Sequence, residues 1–584
     1  MKKLLFLVPM HLSFDFFVNP PANARRFKKK DGRFYNSLAT DLPLGPLSMS
    51  SYIKQYLDIE VKLIDFNVEL NSSDSFSYNS FYDYCLEFLS KIDFKPDLVG
   101  VSSLFSPSFH NFMDCGKASK VCFPGALVVG GGSIPTNSYK YIFEDLNNTD
   151  FDAFCFGEGE KPLLELLLAV DKEEYLSKSS SWITKSRLAR EGASFETKHN
   201  YVENLDEIPF YDYDLCDFSR HGLNPVMSAY ASIKNQNGFH IMTSRGCPYK
   251  CTFCASHKVH GRSMRYHSVE RVRQDFTKLK NEYGASTIIF QDDHFMADKN
   301  RVLKILDIIG DLELEAIFQN GLTLYALDRP MLEAFYRVGV RQLVLPVESG
   351  SEKVLLKQMK KPLKLAYSQR VATDCRDLGI YTNTNILIGM PGETKEDIEE
   401  ARVNLRTRVP TNWFHIVCAS PIVGSEMHQI ALENNYIQGD TLGADYRKAV
   451  INTPDFTAEY IQDMQYLMNL ELNFVYNNDI RFKQYDIALK GLLNAIRVKD
   501  DHAFGYFFAA LCFHALGNSE SSESYLEKYL VHSKDSFWKK YIDYFSLPTT
   551  KSECIAFFEK QIQGSKPELR HSSPFEQVQA NRSA

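Results

Sequence analysis

Short apolar runs separated by segments with helical spacing dominate the first part of the chain. The runs are LLFLVP (4–9), VKLIDF (61–66), LVGVSS (98–103), ALVVGG (126–131) and AFCF (153–156). They lack the alternation of polar and apolar side chains that a half-exposed strand shows, so they are typical of strands buried on both faces. This pattern predicts an α/β domain over residues 1–175, with a Rossmann-like parallel sheet between helices.

The pattern changes twice further along the chain. Residues 176–236 show little periodicity and are predicted to be a connector. Over residues 237–435 strands and helices alternate again, and the strands are FHIMTS, STIIFQ, LEAIFQ, RQLVLPV, TNTNILI and FHIVCA. Six strands with helical crossovers predict a partial or full parallel (β/α)6 barrel, whose functional face is the carboxyl end of the strands.

Residues 436–570 carry helical patterns only. The segment YDIALKGLLNAIRVKDDHAF aligns with a second copy 34 residues later, which pairs Ala488 with Ser522 and Ala495 with Tyr529. This period is that of tetratricopeptide helix pairs, which offer a groove to a peptide or protein partner. Because two copies are fewer than usual, a generic helical cap over the barrel is the alternative. Residues 571–584 are polar and predicted to be disordered.

Composition narrows the classes of function. The chain has 584 residues, 44% of them hydrophobic, and a formal net charge of −7, which argues against nucleic acid as the main partner. No apolar stretch reaches the roughly 18 residues of a membrane helix, and we interpret the opening MKKLLFLVPM as a buried strand. Nine of the twelve cysteines are isolated, without a disulfide framework, which favours a reducing, cytoplasmic compartment.

The remaining three cysteines form one motif, RGCPYKCTFCASH, directly after the first barrel strand. Four thiolates would close a metal site, whereas Cys247, Cys251 and Cys254 on a cubane iron-sulfur cluster leave one iron free for a ligand. Gly246 suits a loop that curls around such a cluster, and Phe253 is placed to shield it. The motif therefore predicts a cluster with an open iron at the barrel mouth.

Zinc is the alternative occupant of this motif. His257 or His260 would then supply the fourth ligand beside the three thiolates. Structural zinc sites use tighter paired spacings and seldom occupy the first loop of a barrel, so the spacing favours the cluster.

Small residues end several strands of the first domain. They are Ser102 and Ser103, the glycines 130–132, and the GEG segment 157–159. Glycine at the carboxyl edge of a parallel sheet allows close approach of a ligand, which predicts a nucleotide-like or phosphate-bearing cofactor. The alternative is that these glycines only form tight turns between strand and helix.

Taken together, these motifs resemble the radical S-adenosylmethionine (SAM) enzymes, in which the open iron chelates the amino and carboxylate groups of SAM. IIFQDDHF, LVLPVESGSEKVL and NILIGMPGET resemble segments of the branch that carries an N-terminal cobalamin-binding domain. DLPLGPLSMSSYI, KPDLVGVSS, VVGGGSIPT and FGEGEKPLLELL resemble that domain itself. The resemblance covers about residues 1–430 and implies three cofactors: a [4Fe-4S] cluster, SAM and cobalamin.

The resemblance also implies contacts for SAM. Phe253 contacts adenine, Glu348 and Ser349 lie near the ribose and the amino-acid end, and Ile388 and Gly389 back the adenine. Asp292 ends a barrel strand, where a charge is seldom structural, so we expect it to face SAM or substrate. Glu348 has the alternative of a solvated carboxylate at a strand end.

For cobalamin, the implied contacts are Leu44, Gly45, Leu47, Ser102, Ser103, Gly131, Gly132 and Glu158. The Asp-x-His-x-x-Gly motif, whose histidine ligates cobalt in many cobalamin proteins, is absent, and His110 has the wrong neighbours. The resemblance therefore implies a lower cobalt face that is open or water-bound, and cob(II)alamin without histidine nitrogen coupling. A domain that serves as scaffold without cobalamin is the alternative.

The function implied is reductive cleavage of SAM to a 5′-deoxyadenosyl radical and cobalamin-dependent methylation of an unactivated carbon. The substrate would be a natural product or peptide, and an external donor of flavodoxin or ferredoxin type would supply low-potential electrons. One alternative keeps the cofactors but performs ring closure or rearrangement. Another is a zinc-bound interaction protein with a degenerate barrel. No motif identifies the substrate.

Overall fold

The computed structural model describes residues 2–20, 26–103, 105–221, 237–439 and 448–564. The first domain contains a six-stranded sheet of order β4-β1-β5-β6-β7-β8, parallel except for β8, and a small hairpin of β2 and β3. Its strands are β1 (Lys3–Val8), β2 (Arg26–Lys28), β3 (Phe34–Asn36), β4 (Glu60–Asp65), β5 (Leu98–Ser103), β6 (Leu127–Gly132), β7 (Ala153–Cys155) and β8 (Trp182–Ile183).

Both faces of this sheet are buried, as the continuous apolar runs predict. Along β1, Leu4 and Phe6 pack into one apolar cluster while Leu5 and Leu7 pack into another on the opposite face. The covering helices are Phe14–Val18, Leu44–Lys54, Phe66–Ser72, Phe81–Ser90, Phe109–Cys122, Ser133–Lys140, Glu160–Leu168, Lys172–Lys178 and Lys185–Glu191. The predicted Rossmann-like α/β domain is confirmed.

The predicted start of the connector, residue 176, lies within the first domain. Strand β8 pairs antiparallel with β7, and the indole of Trp182 is buried and donates to the carbonyl of Pro162 at 3.2 Å. Residues up to about 190 therefore belong to the first domain. A two-residue edge strand is too short to produce a periodic pattern, which is why the sequence did not indicate it. The part of the predicted connector at 222–236 lies outside the described residues.

The second domain contains the six predicted barrel strands. They form two parallel three-stranded sheets, β9-β12-β13 and β14-β15-β16, with a short antiparallel pair, β10 and β11, beside them. The strands are β9 (Gly238–Ile241), β10 (Ser244–Arg245), β11 (Arg265–Tyr266), β12 (Thr287–Phe290), β13 (Glu315–Phe318), β14 (Gln342–Glu348), β15 (Tyr381–Ile388) and β16 (Trp413–Cys418). The helices are His257–His260, Val269–Tyr283, Lys299–Asp311, Arg329–Arg337, Leu365–Leu378, Lys395–Arg408 and Glu426–Glu433. The predicted partial barrel is confirmed.

The C-terminal region is helical. Its helices are Ala458–Leu470, Asn478–Arg481, Tyr485–Val498, Ala503–Ala515, Ser519–His532, Ser536–Tyr544 and Lys551–Gln563. Tyr485 and Ser519 begin two successive helix pairs 34 positions apart, the tetratricopeptide spacing. No helix in the described ranges is long and apolar enough to cross a membrane. The tail predicted to be disordered lies outside the described residues.

This helical region also covers the last barrel strand. The side-chain oxygen of Asn473 accepts from Phe414 N at 2.7 Å and its amide donates to Phe414 O at 2.8 Å. Since Asn473 is fully buried, these bonds satisfy backbone groups at the outer edge of β16. The buried ion pair between Arg376 and Asp479, at 2.7 Å, fastens the same two regions. The helical region therefore combines the two alternatives: it contains two helix pairs at the 34-residue spacing, and it covers the last strand of the barrel.

Candidate cofactor sites

The three motif cysteines lie in one loop that leaves β10 at the carboxyl end of the barrel. Gly246 opens this loop at φ 92°, and a side chain there would collide with the Ser263 carbonyl oxygen. Its backbone N–H donates to Asp293 at 3.2 Å. Only glycine therefore permits the curl that places Cys247 directly behind β10.

The thiol loop carries the donor set of an iron-sulfur cluster, three free thiols in one segment. Cys247, Cys251 and Cys254 are half-buried, and burial raises the pKa of the Cys247 thiol to about 11, so binding of iron displaces its proton. Thr252, within the loop, donates its backbone N–H to Met359 O at 3.0 Å and accepts from Met427 N at 2.8 Å. The barrel thus holds the loop in place from two sides.

The residues predicted to contact SAM gather beside this loop. Glu348 ends β14 after a β-bulge and is held at φ 68°, a conformation that non-glycine residues rarely adopt. Its carboxylate accepts from Lys361 Nζ at 3.3 Å, and that ammonium lies 6.0 Å from the centre of the Phe253 ring. The structure therefore brings Phe253 and Glu348 together around Lys361, at a strained strand end.

The GMPGET segment forms the turn after β15. Glu393 is fully buried and accepts from the N–H groups of Gly389 at 2.7 Å and Met390 at 3.0 Å, while burial raises its pKa to about 7. Gly389 has φ 90°, and a side chain there would press on Ile461 of the C-terminal helix Ala458–Leu470. Ile388 is buried in the barrel core and supports this turn from below.

Two other residues of the predicted SAM set have local structural roles. Ser349 is buried, and its hydroxyl accepts from the N–H of Ser351, which closes a turn. Asp292 accepts from Thr243 N and Oγ1, the latter at 2.8 Å, and from Ser244 Oγ at 2.5 Å. We therefore correct the interpretation of Asp292: it ties the end of β12 to the segment before the thiol loop. Burial raises the pKa of this carboxyl, and the hydroxyl and backbone donors oppose that rise.

Five of the residues predicted around cobalamin, Gly45, Ser102, Ser103, Gly131 and Gly132, lie at the carboxyl edge of the first sheet. Ser102 pairs with Gly131 and Ser103 with Gly132 in the register of β5 and β6. Gly131 has open space where a side chain would stand, whereas Gly132, at φ 97°, lies against the Ser103 carbonyl. A Cβ on Gly45 would lie 3.8 Å from Ser102 Oγ. This small-residue edge fits a nucleotide tail.

Leu47 does not belong to this edge. Its side chain is fully buried in the apolar cluster that also contains barrel residues, so it contacts protein on all sides. Gly45 is exposed and Leu44 is partly buried, and both remain candidates for the corrin contact. Leu44, one turn earlier on the same helix face, packs against the same cluster but is only partly buried.

Glu158 also has a different role from the predicted one. It accepts from Arg245 at 2.9 Å, from Arg265 at 3.0 Å and from His260 at 2.8 Å. Glu160 pairs with Arg245 at 2.8 Å. We call these five residues the interdomain ion-pair cluster, and we remove Glu158 from the predicted cobalamin contacts because its acceptor sites are filled.

The interdomain ion-pair cluster is buried and remains charged. Glu158, Glu160, Arg245 and Arg265 are each at most 6% exposed as residues. Burial alone would raise the pKa of Glu158, but Arg245 and the donors His260 and Arg265 hold it well below its usual range. Two buried arginines thus join the loop after β7 to the strands that flank the thiol loop.

Further contacts bring the carboxyl edge of the first-domain sheet close to the carboxyl end of the barrel. Gly424, in the loop after β16, packs so closely on Asn137 of the helix after β6 that a side chain would collide with it. Gly157, after β7, lies against the carbonyl of Val259 near the thiol loop. The edge with the small residues therefore adjoins the edge with the cysteines.

Sequence reasoning missed Arg245 and Lys361. Arg245 stands beside the glycine of the cysteine motif, which is the one signal that marks it. Lys361 has no such signal, because its neighbour Lys360 is chemically identical and only the fold separates them. Lys360 is exposed and pairs with Glu426, whereas Lys361 turns toward Glu348.

Comparisons with known proteins match both domains. The sequence model of the Radical SAM superfamily matches residues 241–403, and that of the B12 binding domain matches residues 42–167. The chain is 25% identical over 464 residues to cytidylyl-2-hydroxyethylphosphonate methyltransferase of Streptomyces wedmorensis, covering 74% of this chain and 86% of that protein.

Two further relatives differ in activity and in coverage. The anaerobic magnesium-protoporphyrin IX monomethyl ester cyclase of Rubrivivax gelatinosus is 23% identical over 324 residues, 55% of this chain and 56% of the cyclase. The structure of the cobalamin-dependent SAM radical enzyme OxsB, with aqua-cobalamin and SAM bound, superimposes with a TM-score of 0.55 at 15% identity. That superposition covers 96% of this chain and 83% of OxsB and shows a common fold. The chain therefore contains a B12 binding domain and a Radical SAM domain, and these domains imply a [4Fe-4S] cluster, SAM and cobalamin as cofactors.

Proposed function

We propose that this enzyme methylates an unactivated carbon of a natural product or peptide. The observation that supports the proposal is the apposition of the two sheet edges across the interdomain ion-pair cluster. Arg245, two residues before Cys247, pairs with both Glu158 and Glu160 of the other domain. Methyl transfer to carbon requires that substrate reach both cofactor edges in one cleft.

The protein's own residues bind, orient and separate the reacting groups. When bound, the cluster and SAM supply a carbon-centred radical oxidant, and cobalamin supplies a methyl group. Cys247, Cys251 and Cys254 hold the cluster, while Glu348 and Lys361 provide opposite charges for the two ends of an amino acid. Gly131 and Ser102 leave room for the nucleotide tail of the second cofactor.

Ring closure or rearrangement is the second candidate function. The specific observation that favours it is the similarity, 23% identity over 324 residues, to a protein named as a magnesium-protoporphyrin IX monomethyl ester cyclase. The third alternative, a zinc-bound interaction protein, is disfavoured by the match of residues 241–403 to the Radical SAM superfamily model.

Product balance distinguishes methylation from rearrangement. If a methyl group moves, one SAM becomes S-adenosylhomocysteine and a second becomes 5′-deoxyadenosine, so both byproducts rise in equal amounts with substrate. Mass spectrometry of extracts or peptide libraries incubated with the anaerobic enzyme is expected to show one product heavier by a methylene group. Deoxyadenosine that rises alone, with no heavier product, contradicts methyl transfer and supports rearrangement.

Replacing Lys361 by methionine is expected to weaken SAM binding about tenfold, the cost of one charge-assisted hydrogen bond. The reason is that its ammonium lies between Phe253 and Glu348, where we propose that it binds the carboxylate of SAM. Anaerobic equilibrium dialysis with the reconstituted enzyme measures the change. Lys360→Met is the matched control, since Lys360 is exposed and points to Glu426. Equal affinities in the two variants contradict the assignment.

The proposed reaction also needs a low-potential electron donor of flavodoxin or ferredoxin type. For the helical region we propose a peptide or protein partner, on the basis of its two helix pairs.

A further inference from the structure

Two stretches of the chain contain lysines and arginines but no carboxylate side chain. Residues 245–269, which include the three motif cysteines, hold five of these basic residues and no Asp or Glu. Residues 353–373 hold six of them and again no acid. The whole chain has 73 acidic residues among 584 and a net charge of −7, so both stretches depart from its average composition.

The fold joins these two stretches at the thiol loop. Thr252, between two of the motif cysteines, donates its N–H to Met359 O at 3.0 Å and its hydroxyl to Gln358 O at 2.6 Å. The ring of Phe253 packs against the apolar cluster that contains Leu355 and Met359. Two segments without carboxylates therefore lie side by side around the three thiols.

The exposed side chains of these segments near the thiol loop are basic, with one apolar residue among them. They are Lys250, Lys258, Arg262, Leu356 and Lys357, and we call them the basic face. Leu356 is 57% exposed. In the part of the chain that the structure describes, Lys250, Lys258 and Lys357 form no ion pair. Their charges are therefore available to a partner.

Carboxylates that flank the basic face are already bonded within the protein. Glu426 pairs with Lys360, and Glu352 accepts from a backbone N–H at 2.9 Å. Lys361 turns to Glu348, whereas the basic face is open to solvent. The basic residues of the second stretch thus have two roles: Lys361 faces the cofactor site, and the basic face is accessible to a macromolecule.

We propose that the basic face is the docking surface for the low-potential electron donor, a redox protein with an acidic surface. The thiols are half-buried in the same loop that carries Lys250, so an electron that enters through this face crosses only the loop that holds the cluster. Opposite charges raise the association rate of the small, short-lived complexes that transfer electrons. An exposed leucine among the cations supplies an apolar contact at such an interface.

The inference rests on the need for an external donor, which methylation and rearrangement share. One electron leaves the donor and reduces the cluster. SAM takes up this electron when its sulfonium–carbon bond breaks, which gives methionine and the 5′-deoxyadenosyl radical. Without substrate the radical takes a hydrogen atom from buffer or protein and becomes 5′-deoxyadenosine. Cleavage of SAM without substrate therefore reports electron entry even where the proposed methylation fails.

The first experiment measures binding, with a purified flavodoxin as the probe. The full chain, reconstituted anaerobically, is titrated with oxidised flavodoxin in a calorimeter at low ionic strength. The double variant Lys258→Glu with Lys357→Glu is expected to bind about tenfold more weakly than wild type, because attraction becomes repulsion at two positions. Binding by wild type is expected to weaken as salt is added.

The matched control is the double variant Lys95→Glu with Lys304→Glu. It changes the net charge by the same amount. Lys95 is exposed before the amino end of β5, and Lys304 is exposed on the helix Lys299–Asp311, so both lie away from the thiol loop. This variant is expected to bind flavodoxin as wild type does.

The second experiment measures 5′-deoxyadenosine formed without substrate. With limiting reduced flavodoxin, the Lys258→Glu, Lys357→Glu enzyme is expected to be about tenfold slower than wild type and than the control variant. With methyl viologen reduced by dithionite, a small donor that needs no docking surface, all three enzymes are expected to be equally fast.

Three results overturn the proposal: equal affinity of the two double variants for flavodoxin, equal rates with limiting reduced flavodoxin, and wild-type binding that does not change with salt. If flavodoxin binds both variants equally but a short DNA duplex binds only the control variant, the basic face belongs to nucleic acid. If the variant at the basic face loses the rate with methyl viologen too, the salt dependence of wild-type binding decides.

Discussion

Replacement of any one of Cys247, Cys251 and Cys254 by alanine is expected to abolish the cluster and all cleavage of SAM. Each thiolate is one of only three protein ligands, and a cluster that loses one of them exposes a second iron and does not persist. Anaerobic reconstitution of wild-type protein is expected to give a brown protein with broad visible absorption. The three variants are expected to remain colourless and to form no 5′-deoxyadenosine.

Cys122→Ala is the control for this experiment. Cys122 is half-buried like the motif cysteines but lies in the first domain, where its thiol contacts the Leu86 carbonyl at 3.6 Å. It is expected to keep full iron and sulfide content. A wild-type protein that stays colourless and holds one zinc ion per chain contradicts the cluster assignment, as does a motif variant that remains brown.

Glu158→Gln is expected to uncouple the two domains. The substitution keeps the shape of the side chain but leaves Arg245 and Arg265 without their shared carboxylate in a buried site. Removing one partner of a buried ion pair costs about 3–5 kcal/mol, because an uncompensated charge stays behind. We expect a lower midpoint of thermal unfolding and, at temperatures where the variant is folded, 5′-deoxyadenosine in excess over product.

The ratio of 5′-deoxyadenosine to product is the readout that general destabilisation alone does not change. Glu60→Gln provides the control, since Glu60 pairs with Lys3 at 3.0 Å but both side chains are about half exposed. Exposed pairs contribute about 0–1 kcal/mol, so this variant is expected to keep both stability and product ratio. A Glu158→Gln enzyme with wild-type stability and wild-type ratio contradicts the positioning role.

The strands were predictable because their pattern is local. Apolar runs without alternation belong to strands covered on both faces, and β1 of the first-domain sheet shows that environment. The same locality explains the failure at β8, where Trp182 and Ile183 are too few to form a pattern. Their assignment depends on pairing with β7, a contact that a sequence window does not contain.

Charged residues of the site were harder to interpret than apolar ones. Asp292 and Glu158 both follow buried strands, where a ligand contact was the natural expectation. The structure satisfies Asp292 with hydroxyl and backbone donors and Glu158 with two arginines and a histidine. Leu47 was predicted to contact cobalamin, but its side chain is buried in the apolar core.

The sequence by itself determined the order of the domains, the set of three thiols and the small residues at strand ends. Each of these features depends on residues that are neighbours along the chain, within a period of two to seven positions. Only the tertiary structure decided which charged side chains are bonded to other protein groups and which are available to a ligand. The partners of Glu158 come from residues 87 to 107 positions away, and those of Asp292 from 48 to 49 positions away. Folding sets these distances, and in a buried site distance decides whether a charge binds protein or ligand.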